Sequence, residues 1–309
     1  MAFDFYFAGT QNIETQNMLC AMGANLLRSY VNDKRSIQEL FKHKQEGTWK
    51  GKLIIDSGAF TVHRKGGTID VDTYIEFLNT NKDYIDRAIQ IDDIPGVWGQ
   101  VKTAEQVRTS PIKTWENYLY MVQRLERPQM LLPVFHQGEH LKYLEQMLNF
   151  RYSDGTPLEY ICISGNKELT GKQRKQWYAK VFDVIVKSSN PNVKTHCLGS
   201  ATMTDMSEFP FTSSDATSWL MTSATGSILT PFGPVLVSKE QRHDKSHILN
   251  MPQTCIDTIK QMCDEFNVPF EDLMESYIAR SNFNCCYTFK ASKEISFIPR
   301  NLKISGGLF

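Results

Sequence analysis

The chain has 309 residues and a mass of 35.5 kDa, enough to bury a large core as one α/β barrel or as two smaller domains. Apolar residues make up 41% and charged residues 22%, which excludes a disordered or fibrous chain. Lys plus Arg and Asp plus Glu both total 34, so bulk charge announces no polyanion partner and only a local basic face would.

Residues 2–8 (AFDFYFA) read as a first strand, since a signal peptide would carry a basic start and this one carries Asp4. The spacing of Ile13, Met18, Leu19, Met22, Leu26 and Leu27 predicts a helix over 12–30. KLIID at 52–56 is the next strand, closed by Ser57-Gly58, and a helix near 70–83 starts at the cap residue Asp70. RAIQID at 87–92 is a strand stopped by Pro95-Gly96. Residues 96–110, rich in Gly and Thr and ending in Ser-Pro, read as a lid, with a helix over 113–127. MLLPVF at 130–135 and YICIS at 160–164 are strands, each followed by a helix, at 138–150 and 169–187. VKTHCL at 193–198, FPFTSS at 209–214 and a run within 227–237 bring the strand count to eight. Helices fit 251–266 and 269–281, and the tail 284–309 is mixed.

Alternating strands and helices imply a parallel sheet with right-handed crossovers, and eight repeats imply a closed (β/α)8 TIM barrel of the α/β class. An open doubly wound sheet is the rival, but no GxGxxG opens the first helix. The expected division is a catalytic barrel over 1–240 and a small helical C-terminal extension over 241–309 packed on it. No run approaches the roughly 20 apolar residues of a membrane span, so no membrane partner is expected. Seven scattered Cys suit reduced thiols in a cytoplasm. Cys255, Cys263, Cys285, Cys286, His243 and His247 lack the tight pairing of a structural zinc site, so no zinc subdomain, metal or other cofactor is expected.

Barrel enzymes place their chemistry at the C-terminal ends of the strands. Here those ends read Asp56-Ser57-Gly58, Asp92-Asp93, His136-Gln137-Gly138, Ser164-Gly165-Asn166, Gly199-Ser200 after His196, and Ser214-Asp215. Three carboxylates, Asp56, Asp92 and Asp215, would converge on one mouth, and their mutual repulsion should push at least one pKa up. Such a pair with split pKa values supplies a nucleophile or base and an acid. Each Asp alone also reads as a helix N-cap, and the ring as a Mg²⁺ site. His136 and His196 read as general bases or as structural residues, and Cys162 and Cys197 as buried fillers.

Four of these segments carry a family resemblance. DSGAF at 56–60 resembles the Asp-Ser-Gly-Gly-Phe signature of the tRNA-guanine transglycosylase superfamily. VFHQG at 134–138 is similar to its Val-Gln-Gly strand end, and HCLGS at 196–200 to its His/Tyr-x-x-Gly-x-Gly stretch. SSDATSW at 213–219 with ILTPFG at 228–233 resembles its Phe-Asp-Ser-Ala-x-Tyr and Leu-Thr-Pro-x-Gly run. The resemblance spans about residues 50–240. It implies exchange of a guanine in a polynucleotide for a free 7-deazaguanine base, such as 7-cyano-7-deazaguanine or a derivative, with no cofactor. By position, Asp215 would be the nucleophile on the ribose anomeric carbon and Asp56 the proton carrier. Asp92, or Asp93 in its place, would accept from the base's N–H edge. Gln137 and the backbone at Gly165 would read its carbonyl edge, and Phe60 and Leu198, next to Gly199, would sandwich the ring.

The chain departs from the family at Ala59 and Ser164, where glycines are usual, and lacks the Cys-x-Cys-x-x-Cys…His zinc site. That compact form is most like the DNA-modifying branch, the DpdA-type DNA-guanine transglycosylases of phages and bacterial islands. The resemblance then implies DNA as partner, in a host cytoplasm if phage-encoded, with a partner protein or a homodimer left open. The alternatives are a tRNA-directed member and a non-catalytic, nucleic-acid-binding barrel subunit. Candidate phosphate contacts are Arg64-Lys65, the Lys167–Lys175 stretch with Lys172, Arg174 and Lys175, and Arg242 with Lys239 and Lys245. Trp98, Trp177 and Trp219 are candidates for base stacking.

Overall fold

The computed structural model describes residues 3–9, 12–97, 99–165, 170–199, 203–296, 298 and 300. The barrel strands are β1 (Asp4–Phe7), β2 (Asn25–Ser29), β3 (Leu53–Asp56), β4 (Arg87–Ile89), β5 (Leu131–Leu132), β6 (Val134–His136), β7 (Tyr160–Ser164), β8 (Lys194–Leu198) and β9 (Ser213–Ala216). They pair in parallel in the order β5-β4-β3-β2-β1-β9-β8-β7-β6. The two ends of that order, β5 and β6, are halves of one strand interrupted at Pro133, which has no N–H for the ladder. The Leu132 carbonyl still accepts from Gln90 N at 3.2 Å and the Pro133 carbonyl from Cys162 N at 2.8 Å. Eight strand positions thus close into a (β/α)8-like barrel.

The helices are α1 (Ile13–Ala21), α2 (Lys34–Gln45), α3 (Ala59–Arg64), α4 (Val71–Thr80), α5 (Ala104–Val122), α6 (Leu141–Asn149), α7 (Gly171–Lys187), α8 (Met203–Glu208) and α9 (Ser218–Ala224). An antiparallel hairpin, β10 (Ser227–Thr230) and β11 (Gly233–Leu236), leads to α10 (Gln253–Phe266), α11 (Asp272–Glu275) and α12 (Tyr277–Glu294).

The count of eight barrel strands holds, but two of its terms change. The helix expected over 12–30 ends at Ala21, and Asn25–Ser29 is strand β2. Its Arg28 is fully buried, which a helical reading of LLRS does not anticipate. The guanidinium is tied to Gln16 Oε1 at 3.0 Å, Ser36 Oγ at 2.9 Å and the Phe7 and Leu27 carbonyls, so it bolts α1 and α2 to the sheet. The run within 227–237 is instead the hairpin outside the barrel. The lid expected over 96–110 is also corrected in its second half. A Thr103–Gln106 capping box starts α5 at Ala104, and the helix continues through Pro111. The mixed tail expected from 284 is helical to Glu294.

Side chains alternate as a barrel demands. Tyr6, Leu27, Ile54, Ile89, Leu132, Val134, Tyr160 and Cys162 fill the interior. Phe5, Phe7, Ile55, Phe135, Ile161, Ile163 and Cys197 point outward into the core under the helices. The hairpin and α10–α12 build a second apolar cluster around Ile228, Val235, Ile259 and Phe283. Helix α12 also reaches the barrel. Its Cys285 is buried in the main core, its Asn282 accepts from Thr15 Oγ1 of α1 at 3.0 Å, and its Asn284 donates to the Trp219 carbonyl at 3.1 Å. No helix among the described residues is long and apolar enough to cross a membrane.

Candidate active site

The C-terminal ends of the strands carry the acidic ring. Asp56 closes β3, where Gly58 at φ +81° starts α3. A Cβ there would sit 2.8 Å from Ser29 Oγ and 3.0 Å from Val31, so the Asp-Ser-Gly turn requires its glycine. The Gly58 N–H hydrogen-bonds the Asp56 carboxylate. Burial, reinforced by the Asp92 and Asp215 charges, nevertheless pushes Asp56 from 3.8 to about 7. Burial, reinforced by the same three carboxylates, holds the Cys162 thiol far above its ordinary range. The three acids therefore share one electrostatic space at the top of the barrel.

Asp215 is 5% exposed and firmly held. Its Oδ1 accepts from Gly199 N at 2.7 Å and faces His196 Nε2 at 3.2 Å. Gly199 permits this with φ +62°. His196 Nδ1 meets Ser213 Oγ at 2.5 Å, and Ser213 in turn hydrogen-bonds the Tyr160 hydroxyl. A carboxylate only accepts, so Nε2 carries the proton toward Asp215, and in the neutral ring Nδ1 accepts from Ser213. The result is a buried line, Tyr160–Ser213–His196–Asp215, that fixes Oδ1.

Asp92 follows β4 and is held by His136 Nε2 at 3.1 Å and Gln90 Nε2 at 3.3 Å. The other ring nitrogen of His136 meets Glu139 Oε1 at 3.0 Å. Burial opposes a charge on His136, but Asp92 and Glu139 outweigh it and raise the imidazole from 6.5 to about 10. His136 is thus an imidazolium clamped between two carboxylates, the positive centre of an acidic mouth.

The remaining expected site residues divide. Asp93 turns away from the ring, with its backbone N bonded to Thr114 Oγ1 and its carboxylate 3.9 Å from Lys113 on α5. Phe60 is 57% exposed on α3, at the same pole as Asp56. Gln137 follows β6 and donates its backbone N–H to the Ser164 carbonyl at 2.9 Å, and Gly165 directly follows β7. Leu198 packs on the interior cluster at the end of β8. Arg64 ends α3, and Lys65, beside it, is exposed. Lys172 is exposed on α7, but Arg174 pairs with buried Asp205 at 3.5 Å and Lys175 with Glu208 at 2.7 Å. Arg242 is exposed and folds onto the Lys239 carbonyl.

Stacking by two of the tryptophans is not supported by their placement. Trp219 is fully buried against Phe7, and Trp177 stacks on Phe135 in the outer core. Trp98, Asn166, Lys167, Ser200 and residues 301–309 lie outside the described residues. Among the described residues no group of three or more His, Cys, Asp or Glu is arranged to hold a metal ion, and the seven cysteines are free.

Ser213, Tyr160 and Glu139 escaped the sequence reading. The signal for Ser213 was its parity: it lies two residues before Asp215 on one strand, so both face inward. Chemically the mouth offers one oriented carboxylate with Oδ1 occupied, one carboxyl poised near neutrality, and a third acid neutralised by an imidazolium. No known family's profile matches the chain, and no curated protein matches it.

Proposed function

We propose that the protein is a base-exchange glycosyltransferase that replaces guanine in DNA with a 7-deazaguanine through a covalent aspartyl-glycosyl intermediate. The observation that carries the reading is the pairing of Asp215 with Asp56. Hydrogen bonds from Gly199 and His196 occupy Asp215 Oδ1, and among the described residues none occupies Oδ2, which is placed to attack C1′ of the nucleotide. As the C1′–O bond forms, the C1′–N9 bond to guanine breaks. Asp56, near pKa 7, gives its proton to the departing guanine. The incoming base then attacks C1′ with N9, releases Asp215 and returns a proton to Asp56. Two displacements retain the anomeric configuration.

Asp92 suits the N–H edge of the base, since its carboxylate is fixed by His136 and only accepts. The partly buried Leu198 and exposed Phe60 supply apolar surface for a flat ring at the same pole. A target guanine must leave its stack to reach such a mouth. DNA is favoured over tRNA by the resemblance to the compact DNA-modifying branch. The presence of both Asp56 and Asp215 in working environments favours an enzyme over a binding subunit.

Nucleoside mass spectrometry tests the reading. The purified protein is incubated with 7-cyano-7-deazaguanine and, separately, duplex DNA, single-stranded DNA or bulk tRNA. A deazaguanine deoxynucleoside is expected. A modified ribonucleoside from tRNA alone keeps the chemistry and moves the substrate to RNA. No product with any of these acceptors, or with other 7-deazaguanines, contradicts the proposal.

A further inference from the structure

The N-terminal pole of the barrel, opposite the acidic mouth, holds a cavity of about 530 Å³. Asp4, Tyr6, Lys52, Asp86, Arg87, Arg127, Tyr160, Lys194 and Thr212 line it. The volume lies within the range of small-molecule sites. Its charges do not cancel. Lys52 pairs with Asp4 at 2.5 Å and Lys44 with Asp86 at 3.2 Å, while Arg87 and Lys194 share Glu159, both at 2.7 Å. Arg127 makes no ion pair among the described residues. Among the described residues its guanidinium donates to the Ile85 and Asp86 carbonyls alone, and its buried Nε has no partner there. Four cations, Lys52, Arg87, Arg127 and Lys194, thus line the cavity against two carboxylates, Asp4 and Asp86, with Lys44, Glu159 and Asp83 beside them.

A second observation points the same way. Tyr6 is 2% exposed and reaches the cavity from β1, yet its hydroxyl makes no hydrogen bond among the described residues. A hydroxyl that lines a polar cavity without a protein partner is free to donate to a ligand acceptor there. Burial and the adjacent Arg87 hold Arg127 below the ordinary arginine range, although Asp86 and Asp83 oppose them.

We propose that this cavity is a second binding site, for a phosphomonoester or free phosphate dianion held between Arg127 and the Tyr6 hydroxyl. Four lining cations, one of them an arginine in no ion pair among the described residues, suit a phosphate monoester, with its charge of about −1.5 to −2 at neutral pH, better than a single carboxylate. The cavity has room for an organic group beyond the phosphoryl oxygens, against the Tyr6 and Tyr160 rings. The cavity lies at the other pole from the carboxylate mouth, and the proposal does not rest on the reaction proposed there. Tyr160 nevertheless belongs to both, as a wall of the cavity and as the far end of the hydrogen-bonded line to Asp215.

Isothermal titration calorimetry of the full chain with inorganic phosphate, and separately with acetate, tests this. The variants are Tyr6→Phe, which keeps the ring, and Arg127→Gln, with the fold of each checked by circular dichroism. Saturable phosphate binding is expected, weakened by about tenfold or more in Arg127→Gln and by a few-fold in Tyr6→Phe. Acetate should bind more weakly than phosphate. Absence of saturable phosphate binding to the wild type, or equal affinity for acetate, overturns the proposal. So does an affinity unchanged in Tyr6→Phe, which decides the matter even if Arg127→Gln fails to fold.

Discussion

The two poles of this barrel use the same ionisable residue types to opposite ends. At the N-terminal pole each carboxylate has a cation: Asp4 has Lys52, Asp86 has Lys44, and Glu159 has both Arg87 and Lys194. At the C-terminal pole Asp56, Asp92 and Asp215 crowd together, with His136 as the imidazolium among them. A carboxylate held by a cation fixes structure at little gain, whereas carboxylates crowded together are pushed toward neutrality and toward proton transfer. The difference supports the proposed placement of the chemistry at the C-terminal pole without reference to any relative.

The comparison is broken most severely by removing the oriented acid. Asp215→Ala should abolish base exchange, by about a thousandfold or more, with the fold retained. Nucleoside mass spectrometry and circular dichroism check the two halves of that statement. Next comes Asp56→Asn, which should slow release of guanine by about a hundredfold and remove the decline of wild-type rate as pH rises through about 7.

The same substitution has a stability signature of defined sign. The carboxyl is raised from 3.8 to about 7, so the folded state holds a proton that the unfolded state has lost between those values. Wild-type stability falls as pH rises through that window, and the cost is complete above it. Asp56→Asn should therefore be the more stable protein above pH 7, by roughly 1–3 kcal/mol in chemical denaturation.

His136→Gln removes the cation from the mouth and should weaken binding of the incoming base by about tenfold. Its folded pKa is raised from 6.5 to about 10, so the stability it contributes is full below 6.5 and lost as pH rises through about 10. The stability gap between wild type and variant should close over that window. The smallest effect belongs to the paired pole. Glu159→Gln, at a half-exposed ion pair, should cost about 0.5–1 kcal/mol and leave the exchange rate unchanged. By adding to the cation excess, it should also tighten phosphate binding at that pole.

The acidic ring was legible because each Asp sits where an apolar run stops, and that position in a barrel has one geometric meaning. The hidden strand was β2. Its Leu26-Leu27-Arg28 continues the helical spacing of α1, and only the tertiary partners Gln16 and Ser36 explain a buried arginine there. The hairpin at 227–236 has strand propensity without barrel membership, which propensity alone does not separate. The Gly and Thr of 96–110 read as a lid with a helix from 113, yet the Thr103 capping box starts that helix at Ala104. The support of Asp215 by Ser213 and Tyr160 crosses three strands, and strand register is not written in any one of them.

The central claim is that Asp215 forms a bond to C1′ of a nucleotide. Its most direct test is an acid-quenched reaction of the full-length protein with guanine-containing DNA, with the adduct mapped by peptide mass spectrometry. The account predicts a nucleotide-bearing peptide modified at Asp215, consumed when 7-cyano-7-deazaguanine is added and missing from Asp215→Ala. Base exchange by Asp215→Ala at the wild-type rate, or an adduct on another residue, would contradict it.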